Sequence, residues 1–231
     1  MRRNSSARSR VLRSGRTTPR RSASTTTSGT RETSFSRGNT RATMPHEATE
    51  LHTPRLTLFP YTPEQLLTLI EHPERFEQVA ALTPAPGLRG SYMSGDVSPH
   101  WLAALREAAG QAQGPDPWRF GFWVVEKSTG KIVGGAGFKG APDTAGIVEI
   151  AYGIVPSREG RGYATEAALA LIHFAANDPR VQLIRAHTRP EANASTRVLR
   201  KCGFVHIGEI IDPEDGPVWR WERSPQHIGT P

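Results

Sequence analysis

Residues 146–189 constrain the fold more than any other part of this chain. An apolar run, "GIVEIAYGIV", ends at Pro156 and is typical of a central strand. A glycine-containing loop, "SREGRG", leads into "YATEAALALIHFAAN", which is apolar on nearly every side and predicts a buried helix. A further strand, "VQLIRAHTR", follows. The stretch therefore predicts a strand–loop–helix–strand crossover in the middle of a sheet.

The flanking segments complete an α+β domain with a largely antiparallel sheet. "RLTLF" (55–59) alternates as a strand, and Thr62 followed by Pro63 is a start signal for a helix that ends before residue 73. Residues 98–110 repeat this signal, while residues 73–97 give no clear element. "FGFWVVEK" and "KIVGGAGF", joined by "STG", predict a hairpin. A short helix at 192–203 and two strands at 204–210 and 217–223 close the domain.

The net charge of +7 is distributed unevenly along the 231 residues. Residues 1–43 contain eleven Arg, no Lys and one acidic residue, Glu32, which gives them a net charge of +10. Subtracting this from the total leaves −3 for the rest of the chain. The body is therefore mildly acidic, and its charge does not indicate nucleic-acid binding.

Residues 1–45 are rich in Arg, Ser and Thr, and they cannot bury enough surface to offset the entropy of ordering them. We therefore expect a disordered tail at 1–45, a folded domain at 46–225 and a flexible end at 226–231. Three interpretations of the tail stay open. It is a solvated tail without specific function, a segment like an organelle transit peptide, or an artefact of start assignment, since Met44 would open a compact domain.

Several functional motifs are excluded. The single cysteine, Cys202, rules out an internal disulfide and a multi-cysteine metal site, and no apolar run is long enough to span a membrane. We therefore expect a reducing, cytoplasmic setting and no metal. "GAGFKG" (135–140) matches a dinucleotide-binding pattern, but turn residues follow it instead of a helix. It predicts a glycine-rich strand.

The loop "SREGRG" places Gly160 and Gly162 at the start of the predicted helix. The first N–H groups of a helix have no intrahelical partner, and the helix dipole favours an anion there. Glycine lacks the Cβ that would hold an anion away from the backbone, and Arg158 and Arg161 add positive charge. The loop therefore favours phosphate binding. The alternative is a tight turn that uses glycine for geometry alone.

Three polar residues accompany the loop. Glu149 lies within an apolar strand, where a half-buried carboxylate is costly without a partner or a task. Asn193 and Ser195 lie where the strand over residues 181–189 leads into the next helix. Both are also typical helix-capping residues.

Together these segments resemble the Gcn5-related N-acetyltransferase (GNAT) superfamily over residues 53–223. "EGRGYA" (159–164) is similar to its acetyl-coenzyme A signature, Q/R-x-x-G-x-G/A. "VEIAYGIVPSREGRGYATEA" with "NASTRVLRKCGF" is closer to the RimJ/RimL-like branch of ribosomal-protein alanine acetyltransferases. The chain has Glu159 at the first signature position, and Leu199 where other branches place a Tyr that protonates the thiolate. Asn193 and Ser195 are one residue closer than the branch's N-x-x-S, which leaves Thr196 as an alternative to Ser195.

The resemblance implies a GNAT fold, a mostly antiparallel central sheet with helices on both faces. It implies that acetyl-coenzyme A binds where strand 146–155 diverges from strand 181–189, with its pantetheine arm along the first strand and its diphosphate on the loop amides. The cofactor-binding residues implied in this way are Ile154, Val155, Arg158, Glu159, Gly160, Arg161, Gly162, Tyr163, Ala164 and Asn193.

The same resemblance implies direct acetyl transfer to a primary amine, of a protein N-terminus or of a small molecule. Glu149 is the predicted base, with a pKa raised by its apolar strand, and a structural pair with an arginine is the alternative. A backbone N–H near Val155 is predicted to stabilise the oxyanion. Ser195 is predicted to protonate or hydrogen-bond the thiolate, unless it serves as a helix cap.

Two other functions stay open at this point. One is a catalytically inactive coenzyme A-binding module, and the other is a nucleic-acid-associated protein that acts through its basic tail. The acceptor pocket is expected from residues 60–118, where Tyr92, Trp101 and Trp118 form either an aromatic wall or part of the core. The expected partner is an amine substrate, with no membrane association, and the protein is a monomer or a homodimer.

Overall fold

The computed structural model describes residues 50–93, 99–213 and 215–225, so the predicted tail at 1–45 and the end at 226–231 lie outside the described residues. Within the described part the strands are β1 (Leu51–His52), β2 (Leu56–Pro60), β3 (Thr83–Pro84), β4 (Phe122–Glu126), β5 (Lys131–Phe138), β6 (Ile147–Ile154), β7 (Leu183–Thr188), β8 (Val205–Asp212) and β9 (Gly216–Arg223). The helices are α1 (Pro63–Glu71), α2 (Phe76–Ala80), α3 (Leu88–Met93), α4 (Pro99–Gly110), α5 (Tyr163–Ala176) and α6 (Ala194–Lys201). None of these helices has the length and apolar character needed to cross a membrane.

All nine strands belong to one sheet, in the order β1-β2-β4-β5-β6-β7-β9-β8, with β3 paired to β5. Most neighbours are antiparallel, while β6–β7 and β3–β5 are parallel. The parallel β6–β7 pair is the one that the helix α5 connects, as expected for two strands joined by a crossover. The predicted α+β architecture with a mostly antiparallel sheet is confirmed.

Helices cover both faces of the sheet, as predicted. On one face of β5, the ring of Phe138 packs 5.7 Å from the ring of Phe174 on α5. On the other face, Gly135 lies against the hydroxyl of Tyr92 on α3. The strand is consequently buried over nearly its whole length, and its side chains form the centre of the hydrophobic core.

The predicted start of α1 is confirmed at Thr62. Its side chain accepts a hydrogen bond from the backbone of Gln65 at 3.2 Å, and the Gln65 side chain accepts one from the backbone of Thr62 at 3.3 Å. This reciprocal pair satisfies two N–H groups that the helix itself leaves unpaired. The predicted cap of α4 at Ser98 lies outside the described residues.

Residues 73–93 contain structure that the sequence did not indicate. A 3₁₀ turn (Pro73–Arg75), α2, β3 and α3 follow one another there. Tyr92 and Trp118 of the predicted aromatic wall are buried in the hydrophobic core, and Trp101 packs against it partly exposed. Tyr92 contacts Trp123 with ring centroids 5.8 Å apart, and Trp118 contacts Phe138 at 4.4 Å. These aromatic side chains therefore belong to the core.

Candidate active site

The strands β6 and β7 pair only near their beginnings. Their parallel register runs from Ile147 opposite Leu183 to Glu149 opposite Arg185. Beyond Glu149 the two strands separate, although β6 continues to Ile154 beside β5. The predicted opening between the two strands is therefore present, and β6 forms one of its walls.

The backbone of β6 alternates between β5 and the opening. The Val155 N–H donates to the carbonyl of Val133 at 2.9 Å, and the Val155 carbonyl accepts from the Arg158 N–H at 2.9 Å. In an antiparallel ladder every second residue bonds to one neighbour. The backbone groups of Tyr152 and Ile154 therefore face the opening, whereas the N–H of Val155 points toward β5. The structure supports Ile154 as an edge for pairing but not Val155, whose backbone groups already have partners.

A cavity of about 810 Å³ occupies the opening. It extends from α3 across the end of β6 to the loop before α5 and the first two turns of α6. Its lining includes eight of the predicted cofactor or catalytic residues: Ile154, Arg158, Glu159, Gly160, Gly162, Tyr163, Ala164 and Ser195. Val155, Arg161, Asn193 and Glu149 do not line it.

Glycine is required at both loop positions. Gly160 has φ +74° and Gly162 has φ +82°, values that side chains with a Cβ rarely adopt. Gly162 precedes the first residue of α5, and its carbonyl accepts the N–H of Glu166 at 3.1 Å. The N–H groups of residues 163–165 come before this bond, so helix geometry leaves them free to bind an anion.

A buried carboxylate that the sequence analysis missed anchors the loop from beneath. Glu126 at the end of β4 is 3% exposed and accepts hydrogen bonds from the hydroxyls of Tyr163 at 2.6 Å and Thr129 at 2.7 Å. Arg158 adds an ion pair at 3.2 Å. The hydrogen bond from Tyr163 is the main reason that the pKa of Glu126 lies below its usual range. The ion pair with Glu126 thus neutralises part of the positive charge that Arg158 would otherwise offer to a ligand.

Arg55 holds the other side of the loop. Its guanidinium pairs with Glu166 at 2.7 Å and donates to the carbonyl of Arg161 at 2.8 Å. The same group stacks over the ring of Tyr163 at 4.8 Å. Arg161 therefore contributes its backbone to the shape of the loop, and its predicted role in cofactor binding stays a prediction.

Replacing Glu126 with Gln should lower the free energy of unfolding at pH 7 by about 1–3 kcal/mol, because charge-assisted hydrogen bonds are lost in a buried setting. A carboxyl group whose folded pKa is depressed stabilises the fold above its unfolded pKa, and this contribution is lost as the pH falls through the folded value. The difference in unfolding free energy between wild type and Glu126→Gln should therefore become smaller below about pH 4.3. Urea denaturation at pH 7 and pH 3.5 measures it.

The exposed Glu191→Gln is the matched control for this prediction, since it removes a carboxylate from the surface. Its unfolding free energy should stay within about 0.5 kcal/mol of wild type. If the unfolding free energies of wild type and Glu126→Gln differ by the same amount at pH 7 and pH 3.5, the role assigned to the Glu126 charge is contradicted.

The helix α6 forms the opposite wall of the cavity. Asn193 caps it, because its side chain accepts the Thr196 N–H at 3.1 Å while its own N–H donates to the Thr196 hydroxyl at 3.1 Å. The capping role predicted as an alternative is therefore confirmed for Asn193, whose side chain is turned to this task. Ser195 is 8% exposed and lines the cavity. Arg197 and Lys201, which the sequence analysis missed, also line the cavity and bring positive charge to it.

Glu149 lies on β6, on the face opposite the buried side chains of Val148 and Ile150. Its carboxylate is 2.6 Å from the ammonium of Lys139 and 3.1 Å from Nδ1 of His187. Burial by itself raises the pKa of Glu149, but the contact with His187 and the charge of Lys139 outweigh it and leave the pKa below its usual range. The predicted raised pKa is wrong, and the predicted arginine partner is replaced by a lysine and a histidine from the neighbouring strands.

Comparison with known proteins identifies this arrangement. A family model described as an acetyltransferase (GNAT) domain matches residues 55–205. The chain is 38% identical over 87 residues to an uncharacterised N-acetyltransferase, YjdG, of Bacillus subtilis, which covers 37% of this chain and 52% of that protein. The chain thus spans about half the length of the curated relatives it matches.

Solved structures agree on the fold. A GNAT-family acetyltransferase from Bacillus anthracis superposes with a TM-score of 0.52 at 17% identity, over 77% of this chain and 99% of the other. RimL, a ribosomal L7/L12 α-N-protein acetyltransferase solved with coenzyme A, superposes with a TM-score of 0.53 at 13% identity, over 76% and 98% of the two chains.

Proposed function

The chain belongs to the GNAT acetyltransferase family, and from this premise we propose that it transfers the acetyl group of acetyl-coenzyme A directly to a primary amine. The cavity beside β6 is the observation that carries the proposal. It joins a free backbone edge at Ile154 to the glycine-containing start of α5, so a long cofactor can pair along the strand and end on the loop amides.

The charges around the cavity suit a diphosphate. Hydrogen bonds to a charged group contribute about 1.5–3 kcal/mol each, so several amides of the loop can hold the diphosphate without a metal. Arg197 and Lys201 on α6 face the same cavity and supply the cationic side chains for the phosphates. Arg158 contributes in part, because Glu126 shares its guanidinium.

The reaction needs a neutral amine, a polarised thioester and a proton for the departing thiolate. The N–H groups of Tyr152 and Ile154 face the opening and are the donors for the thioester oxygen as it becomes negative. Ser195 in the cavity wall is the candidate to donate a hydrogen bond to the thiolate. Glu149, on the same face of β6 as the cavity-lining Gly153, is the carboxylate that favours loss of the amine proton.

Acceptors with weakly basic amines suit the proposed reaction best, because the attacking amine must be neutral. A peptide α-amine has a pKa of about 7.7–8.0, compared with about 10.4 for a lysine side chain, so a larger fraction of it is neutral near pH 7. Our first candidate is therefore the N-terminal α-amine of a peptide, with polyamines and aminoglycosides as the small-molecule alternatives. We propose a cytoplasmic location for this reaction.

Release of free thiol from acetyl-coenzyme A should depend on an added amine, and a peptide beginning with alanine, spermidine and kanamycin form the first panel. Glu149→Gln should lower kcat by about 100-fold, within the range that acid–base groups contribute, while calorimetry shows unchanged acetyl-coenzyme A binding. Thiol release is followed with a disulfide dye and product by mass spectrometry.

Asp143→Asn is the control, because Asp143 lies in the turn before β6 and bonds only to nearby backbone groups in the described part of the chain. It should keep wild-type kcat. Binding without thiol release for every amine would favour the inactive coenzyme A-binding module. Equal turnover in Glu149→Gln would remove Glu149 from the reaction.

A further inference from the structure

The face of β6 and β7 that points away from α5 carries a group of charged side chains. Alternation along β6 places Glu149 on the same face as Gly153, which lines the cavity. On β7, His187 follows Arg185 by two residues and shares its face. Because Arg185 is the last residue of β7 paired with β6, His187 lies where the strands have begun to separate. Neither side chain lines the cavity itself, but both lie where the two strands separate, on the face that Gly153 shares.

Glu149 by itself is poorly suited to remove a proton. Its carboxylate is held by Lys139 at 2.6 Å, and its pKa is lowered by its neighbours. A general base works best when its pKa is near the working pH. The lowered pKa of an ion-paired carboxylate does not meet this condition. The carboxylate is instead well placed to orient the imidazole beside it.

The position of His187 beside Glu149 makes it a better candidate for the general base. Its side chain is 12% exposed, and Nδ1 lies 3.1 Å from the Glu149 carboxylate. Both ring nitrogens, Nδ1 and Nε2, are buried, and neither makes a hydrogen bond of regular geometry to the described residues. A buried polar atom without a partner destabilises the fold, so the presence of Nε2 at this place calls for a functional reason.

The charges around the imidazole come from four neighbouring strands. Arg220 on β9 lies directly opposite His187, and both Arg220 and Arg185 pair with Glu222 at 2.9 Å, which offsets part of their charge. Lys139, the residue that follows β5, is ion-paired with Glu149. The charged groups that the described contacts place on this side include Lys139, Glu149, Arg185, Asp212, Asp215, Arg220 and Glu222.

We propose that His187 accepts the proton of the acceptor amine and that Glu149 is a positioning residue that holds its ring; this inference rests on the proposed acetyl transfer. The acceptor ammonium gives one proton to Nε2, and its nitrogen lone pair then attacks the thioester carbon. The C–N bond forms and the C–S bond breaks, and the nitrogen loses its second proton as the departing thiolate takes one up to become coenzyme A. The imidazolium returns its proton to solvent. A carboxylate, an imidazole and a reacting group in series form a recurring catalytic arrangement.

His187→Gln tests the assignment in the full-length chain, with the alanine peptide or whichever amine of the panel turns over. We expect kcat to fall by about 100-fold at pH 7, while calorimetry shows the acetyl-coenzyme A affinity unchanged. The defect should shrink as the pH rises, because more of the amine is then neutral without help. His173→Gln, on the exposed side of α5, is the control and should match wild type throughout.

A second readout separates a catalytic role from a structural one. Imidazole added to His187→Ala should restore part of the rate, and nitrogen NMR of the neutral ring should show the proton on Nδ1, facing Glu149. A His187→Gln variant with wild-type kcat, or a ring protonated on Nε2 alone, would overturn the inference. These results differ from failure of the proposed function, in which the wild type itself releases no thiol with any amine.

Discussion

Replacing Gly160 or Gly162 with glutamate should weaken acetyl-coenzyme A binding by at least about 100-fold, or about 2.8 kcal/mol. Both glycines line the cavity at the start of α5 and have positive φ. A carboxylate at either position repels the diphosphate and covers the amides that would bind it. Calorimetric titration of the full chain with acetyl-coenzyme A measures the change.

The two substitutions differ in what they do to the fold. A Cβ at Gly160 would meet no described atom within 4 Å, whereas a Cβ at Gly162 would lie 3.3 Å from Nη2 of Arg55. Gly160→Glu therefore isolates the effect on the ligand, apart from the backbone strain common to both. Gly130→Glu is the matched control, because Gly130 has φ +68°, open space around it and a place in the β4–β5 turn. It should bind as wild type does.

Binding by Gly160→Glu within about threefold of wild type, with an intact fold, would show that the diphosphate does not use the loop. Loss of binding in Gly130→Glu as well would assign the effect to backbone strain. Thermal unfolding of all four proteins distinguishes a failure to fold from a failure to bind. The Gly130 variant thus determines how the loss of binding is interpreted.

Local signals in the sequence were sufficient where the physics is local. Thr62 caps α1 through a contact three residues away, and Gly162 begins α5 with its own backbone conformation. Patterns of this range are visible in a linear sequence. The helix starts and the loop of the candidate site were predictable for this reason, whereas the GNAT fold was predicted from the resemblance of the motifs to that family.

The parts that depend on distant residues were not predictable. Glu126 reaches Tyr163 across 37 positions, and Glu149 is surrounded by Lys139 and His187 from two other strands. An apolar strand alone indicates a raised carboxyl pKa, while its actual neighbours lower it. Only the sheet register reveals such neighbours, and no pattern along the chain indicates them.

Residues 73–93 illustrate a second limit. The elements there are short, with five residues in α2, two in β3 and six in α3. Such elements are too short to show a clear period, and their conformation depends on what they pack against. Tyr92 is placed by its contact with Trp123 and with the backbone near Gly135. The part of the cavity wall that α3 forms beside Tyr92 was therefore visible only in the structure.

Gly134→Ala should destabilise the protein by about 4 kcal/mol or more, or prevent folding. A Cβ at this position would lie 2.1 Å from the carbonyl oxygen of Gly153 and 2.9 Å from Cδ1 of Ile154. The register between β4 and β5 shifts at Val124/Val125, which opposes Val124 to Gly134 and Val125 to Ile132. The shift leaves Val133 as an extra residue, so β5 bulges and its backbone closely approaches β6. Urea denaturation and soluble yield measure the effect.

Gly114→Ala is the control, because Gly114 lies in a loop with no described atom within 4 Å of an added Cβ. It should change the unfolding free energy by less than about 1 kcal/mol. Gly135→Ala should be milder than Gly134→Ala, since the obstructing atom there is the Tyr92 hydroxyl at 2.1 Å. Adding Tyr92→Phe to Gly135→Ala should therefore recover part of the loss, which no side-chain change can do for Gly134→Ala.

The bulge also connects stability with the candidate site. The carbonyl of Val133 accepts the N–H of Val155, which sets the alternation that turns Ile154 toward the opening. A Gly134→Ala protein that folds by moving β6 should therefore also bind acetyl-coenzyme A more weakly, even though the substituted residue lies outside the cavity. Wild-type stability in Gly134→Ala would mean that the strands do not approach as closely as the structure places them. Reduced stability with full binding would mean that β6 keeps its position and β5 moves instead.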